Sequence, residues 1–234
     1  MGGEMQAIDR SAVDSLIGWW IEAGVDGPVG EAPRDWLRRN PTAAPPPQQT
    51  IPAMAGQAET LEAYHHWLAT ARGLPMDRAG AVRVAPCGIE GAKLMLMSDL
   101  PGREDAAEGR PIGGEAWALA RNMLAAIEIE PGQAYVASLS CFHTPGARIN
   151  GELEACAAIA REHIRLAKPE RLLLFGDAPA RALLGEPLAK ARGRVHRIEG
   201  VRTVATFHPR WMLRRPSDKA LAWRDLLLLM SEND

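Results

Sequence analysis

Four short apolar runs alternate with amphipathic stretches over the last two-thirds of the chain, and this alternation constrains the fold more than any other feature. "KLMLMS" (Lys93 to Ser98), "QAYVASLS" (Gln133 to Ser140), "RLLLFG" (Arg171 to Gly176) and "VRTVATF" (Val201 to Phe207) each have strand length and turn residues at their ends. Between and after them lie helical stretches: Gly114 to Ile127, Asn150 to Lys168 with a cap near Asn150, a short one capped by Asp177 and stopped at Gly185, and "PSDKALAWRDLLLLM" with Ser217 as cap. Strand and helix in repeated succession give a mostly parallel sheet with helices on both faces. The expected fold is α/β: a three-layer αβα sandwich around a central four-stranded, mostly parallel sheet. In such sheets ligands bind beyond the C-terminal strand ends. The loops 98–114, 141–150, 176–178 and 207–216 are therefore where chemistry is expected.

The N-terminal part reads differently. Ala12 to Ala23 has the spacing of an amphipathic helix, with Leu16, Trp19 and Trp20 on one face, and Gly24 ends it. "NPTAAPPPQQTIP" (Asn40 to Pro52) cannot continue a helix and suits an extended linker. The expected organisation is an N-terminal helical extension and Pro-rich linker over 1–55 and an α/β domain over 56–234, whose first helix runs from Thr60 to Arg72. At 47% hydrophobic and 24% charged residues the composition is that of a globular protein. No apolar run approaches the ~18 residues of a membrane span. The N-terminus lacks the basic start and apolar core of a secretory signal, so a cytoplasmic location is expected, and separately a monomer. Three widely spaced cysteines give no disulfide framework.

Charge is unevenly placed. The formal net charge is −2, yet from Lys190 to Lys219 nine Lys/Arg face only Glu199 and Asp218. A basic segment of this kind either covers solvent-facing edges or marks a nucleic-acid contact. It contains "TFHPRWMLRRP" (Thr206 to Pro216), where Pro209 holds His208 out of helical geometry beside Trp211, Met212 and Leu213. Those apolar residues either pack beneath the loop or enter a base stack, while Arg214 and Arg215 suit phosphates. The loop after the first strand, "SDLPGREDAAEGRPIGG", places Asp99 directly at a strand end, with enough Gly and Pro for main-chain N–H groups to approach a ligand. Cys141 and His143 in "SCFHTPGARIN" form no oriented nucleophile pair by sequence alone.

Taken in order, these segments resemble the uracil-DNA glycosylase superfamily, and within it the iron–sulfur-containing family 4 branch. "AKLMLMSDLPGREDAAEGRPIGG" is similar to that family's strand followed by G-E-x-P-G and G-R-P-F-V-G. "AYVASLSCFHTPGARI" resembles A-Y-I-T-N-V-V-K-C-R-P-P-G-N-R, "LLLFGDAPARALLG" resembles L-G-x-x-A-x-x-x-L-L-G, and "TFHPRWMLRRPSDKALAWRDL" resembles T-Y-H-P-x-x-L-L-R-x-P with its following helix. The resemblance implies DNA as partner and a repair activity: flipping out uracil or a related deaminated base and hydrolysing its N-glycosidic bond. It implies that His208 donates to the leaving base and that Asp99 positions water or supports the sugar cation. Leu100, Pro101, Ile112 and Ser138 take base-facing positions, and Arg210, Trp211, Met212, Arg214 and Arg215 take the DNA-entering and backbone-binding ones.

The sequence also departs from the family. Ser98-Asp99 stands for Gly-Glu, Ile112 for a stacking aromatic, and Ser138 for an Asn that reads the uracil edge with paired donor and acceptor. Only Cys141 and Cys156 match the four cluster cysteines, so no iron–sulfur cluster is expected, and no other metal or cofactor. These departures leave a second reading open: a catalytically silent member that binds DNA or a protein partner.

Overall fold

The computed structural model describes residues 58–146, 149 and 151–231. The helix over 12–23, the linker over 40–52 and the cap at Asn150 lie outside the described residues. The first described helix, α1 (Leu61–Thr70), begins where Thr60 accepts a hydrogen bond from the Ala63 backbone N–H. It is followed by β1 (Val82–Arg83), β2 (Leu94–Ser98), α2 (Arg103–Glu108), α3 (Gly114–Ala125), β3 (Ala134–Ser138), β4 (Phe142–His143) and α4 (Leu153–Ala167). The chain then forms β5 (Arg171–Phe175), α5 (Asp177–Leu184), α6 (Leu188–Ala191), β6 (His196–Ile198), β7 (Val201–Thr206), α7 (Pro209–Arg214) and α8 (Lys219–Met230).

The main sheet has the order β3-β2-β5-β7-β6. Its first four strands are the four apolar runs, and all pair in parallel. Alternation along them divides the interior. Met95, Met97, Tyr135, Leu172 and Leu174 face α1, α4 and α5, whereas Leu94, Leu96, Val136, Leu173 and Phe175 face α3 and α8. Burial on both faces is why these strands read as continuous apolar runs rather than alternating ones. The result is the expected three-layer αβα arrangement.

A fifth strand was not anticipated. β6 adds antiparallel to β7 through Glu199-Gly200, both at positive φ, the two-residue hairpin geometry that matches strand twist. It is too short and too polar to stand out by periodicity. β1 and β4 form a separate two-stranded ribbon. Two caps also differ from expectation. Asp177 is the first residue of α5, and Gly176 precedes it with φ +96, a conformation in which any side chain would be strained. A Cβ there would also lie 3.6 Å from the Cβ of His208, so this glycine seats the β5 end against the His208 loop. Ser217 lies in a 3-10 turn (Pro216–Asp218), and α8 starts after Asp218, whose carboxylate is taken by Trp211 Nε1 at 2.7 Å.

Candidate active site

The C-terminal ends of β2 and β7 lie one strand apart, across β5, and each carries a polar residue into one place. Ser98 ends β2 and Asp99 follows it. His208 follows β7 as the N-cap of α7, where Pro209 supplies the fixed φ that a first helical turn accepts. His208 is buried, 6% exposed. Its Nδ1 accepts from the Arg210 backbone N–H at 3.0 Å. Burial, followed by the Arg210 charge, lowers its pKa to about 3, so the ring is neutral. A neutral imidazole with Nδ1 as acceptor carries its proton on Nε2. That Nε2–H donates to Ser98 Oγ at 2.9 Å and lies 3.5 Å from Asp99 Oδ1. The Ser98 hydroxyl in turn stands 3.4 Å from the same carboxylate oxygen.

Burial raises the Asp99 carboxyl to about 6, with the Arg210 guanidinium pulling the other way at 3.5 Å. Arg210, placed by sequence among DNA contacts, instead turns inward. One of its guanidinium nitrogens pairs with Asp105, and a Cβ on Gly102 would come within 3.3 Å of its Cζ. Asp105 is almost wholly buried and also accepts from Gly102 N at 2.5 Å and Gly113 N at 2.6 Å. A single carboxylate thus gathers both ends of the first loop and the first turn of α7. Sequence reasoning gave Asp105 no role at the site and read Ser98 only as a departure from the family motif. The signal for Asp105 was its place three residues after Gly102, where an acid closes a helix N-terminus.

The structure brings Asp99, His208 and Arg210 together along a groove of about 750 Å3 that also exposes Phe207, Trp211 and Arg214. Other anticipated residues lie elsewhere. Met212 is a correction to the DNA-facing set: it is 1% exposed and packs inward on the buried side of α7. Trp211 and Leu213 are exposed instead, as are Arg214 and Arg215. Ile112 is fully buried among the side chains between the sheet and α3 and presents no face to the groove. Leu100 packs against the opposite core, and Pro101 is buried, its carbonyl accepting from His143 Nδ1 at 2.8 Å. Ser138 is in register with Ser98, yet its buried Oγ has no hydrogen-bond partner among the described residues and lines a different, small cavity.

The profile described as "Uracil DNA glycosylase superfamily" matches residues 86–227. The chain belongs to the uracil DNA glycosylase superfamily. Two members are similar to it. A type-4 uracil-DNA glycosylase of Pyrobaculum aerophilum is 27% identical over 147 residues, covering 58% of this chain and 75% of the relative. One of Archaeoglobus fulgidus is 24% identical over 141 residues, covering 55% and 71%. No helix among the described residues is long and apolar enough to cross a membrane.

An iron–sulfur cluster does not fit the residues at the two matching cysteines of this superfamily member. Cys141 and Cys156 line the same small cavity as Ser138, about 20 Å3, closed by Tyr64, Leu68 and Leu74. That is room for about one water. Apolar side chains from α1 and the segment after it thus fill the space beside the two sulfurs. Purified protein is expected to lack visible cluster absorption and to keep its melting temperature in the presence of an iron chelator. A brown preparation that bleaches and unfolds with chelator would refute this.

Proposed function

We propose that this chain is a DNA repair glycosylase that extrudes uracil or a related deaminated base and hydrolyses its N-glycosidic bond. The observation that carries the reading is the neutral His208 held by the Arg210 backbone so that Nε2–H is its only donor. When the glycosidic bond breaks, its electron pair leaves with the base and the sugar becomes cationic. A fixed neutral N–H stabilises the base anion without first having to surrender a charge. In the free protein Ser98 Oγ holds that donor, and the base carbonyl takes its place on binding. Asp99 beside it supports the sugar cation and receives the proton of the water whose oxygen bonds to the sugar carbon.

The test is incubation of the protein with strands carrying uracil, hypoxanthine or xanthine, single and paired, followed by cleavage at abasic sites. No abasic product from any of them at high enzyme sinks the proposal. The pH dependence carries a sign. Asp99 acts as carboxylate, so the rate is expected to level off above about pH 6 and to fall roughly tenfold per unit below it. Asp99→Asn should be slow and lack this limb. A profile that keeps the limb in the variant assigns it to another group.

A second reading is favoured by the placement of Ile112 and Ser138, which present neither a stacking face nor an amide to the groove. A silent DNA-binding member would show salt-dependent binding indifferent to His208→Ala. Loss of base release in that variant excludes it.

A further inference from the structure

The groove beside His208 continues past the reacting groups, along Phe207 and Arg192 to Leu188 and Ala189. At about 750 Å3 it is within the ~300–1,000 Å3 range that receives a drug-sized ligand, more than a lone pyrimidine occupies. Its wall is a layered stack. The Arg192 guanidinium is fixed by the buried Asp225 through Nε at 2.8 Å and a terminal nitrogen at 2.7 Å, and its Cζ lies 4.1 Å over the Phe207 ring. Phe207 and Trp211 are nearly parallel, 14° apart with centroids at 6.5 Å. Trp211 Nε1 donates to Asp218. Tied at its edge and backed by Phe207, Trp211 is not a free wedge. Arg215 lies over the same ring, with Cζ 4.7 Å from its centroid.

Arg215 is exposed and has no acidic partner among the described residues, and neither has the neighbouring Arg214. A planar cation resting on an aromatic face occupies the position that a nucleobase would take, and it is free to leave for a phosphate. We infer that the Arg215-covered face of Trp211 is a stacking platform for an unpaired nucleobase flanking the extruded nucleotide, which makes single-stranded DNA the preferred substrate class. The inference rests on the glycosylase reading above. In a duplex the flanking base is stacked and paired, and reaching the platform would cost that pairing. In a single strand the cost is small, and stacking on a held aromatic ring is tolerant of sequence.

The experiment measures binding of the full chain to an oligothymidylate strand, alone and annealed to oligoadenylate, at fixed low salt. Trp211→Ala is expected to weaken single-strand binding about tenfold or more and duplex binding less than about twofold, with Trp211→Phe retaining most single-strand affinity. Because Trp211 is 42% exposed, its truncation should not unfold the domain, and a thermal melt checks this. Equal losses on both strands, or no loss on either, overturn the platform. If the wild type releases base while Trp211→Ala binds single strands unchanged, only the platform fails. If the wild type binds neither strand and releases no base, the glycosylase reading fails with it.

Discussion

Replacing His208 by alanine is expected to slow base release by about a hundred- to a thousandfold, the effect of removing one preorganised donor to a developing anion. The size follows from the site's construction. His208 is buried, neutral and fixed through both ring nitrogens, so no reorganisation is needed when charge appears on the base. Alanine also removes the α7 cap, a loss of about 0.5–2 kcal/mol in stability. His208→Asn separates the two effects, because asparagine caps helices well but does not reach Ser98 from the same backbone position. Its melting temperature should stay near that of the wild type while single-turnover base release falls nearly as far as in His208→Ala. If His208→Asn retains full rate, the donor lies elsewhere in the groove.

The parts of the fold legible in the sequence are those set by local pattern. β2, β3, β5 and β7 are buried on both faces, and that burial writes itself as uninterrupted apolar runs. β6 was not legible because it is three residues long and lies at a sheet edge, where neither burial nor alternation is demanded. Only the Glu199-Gly200 pair hinted at its turn. α2 was hidden within a Gly- and Pro-rich loop, being six residues long and organised around Asp105 rather than by an apolar stripe.

The site divides in the same way. That Asp99 and His208 lie close together was readable because strand ends in a parallel sheet converge. Side-chain direction was not readable. Arg210 sits in a run of basic residues that suggests phosphates, but Asp105, over a hundred positions upstream, draws it inward. Trp211 and Met212 are adjacent in sequence and meet opposite fates, because a helix turns its successive residues about 100° apart and only one of them faces the core. Ser138 carries a hydroxyl on a strand end, yet the pleat sends it toward Cys141 and Cys156 rather than toward His208.

Asp105→Ala is expected to cost about 3–5 kcal/mol of stability, because it strands a cation and two main-chain donors at once. The Asp105 carboxylate accepts from Gly102 N, Gly113 N and Arg210, and without it Arg210 is left with its longer 3.5 Å contact to Asp99. For a domain of this size the loss corresponds to a fall in melting temperature of roughly 6–20 °C. Arg210→Met alone should cost less, since Asp105 would still accept two backbone N–H groups and methionine refills the volume beside Gly102. The double variant should therefore recover part of the Asp105→Ala loss, giving a coupling between the two sites of about 1 kcal/mol or more. The activities should separate the same residues differently. Arg210→Met removes the charge that opposes protonation of Asp99, so the acid limb of the rate profile should move to higher pH. A loss below about 1 kcal/mol for Asp105→Ala would mean that water replaces the carboxylate, and that the first loop and α7 are held together by other contacts.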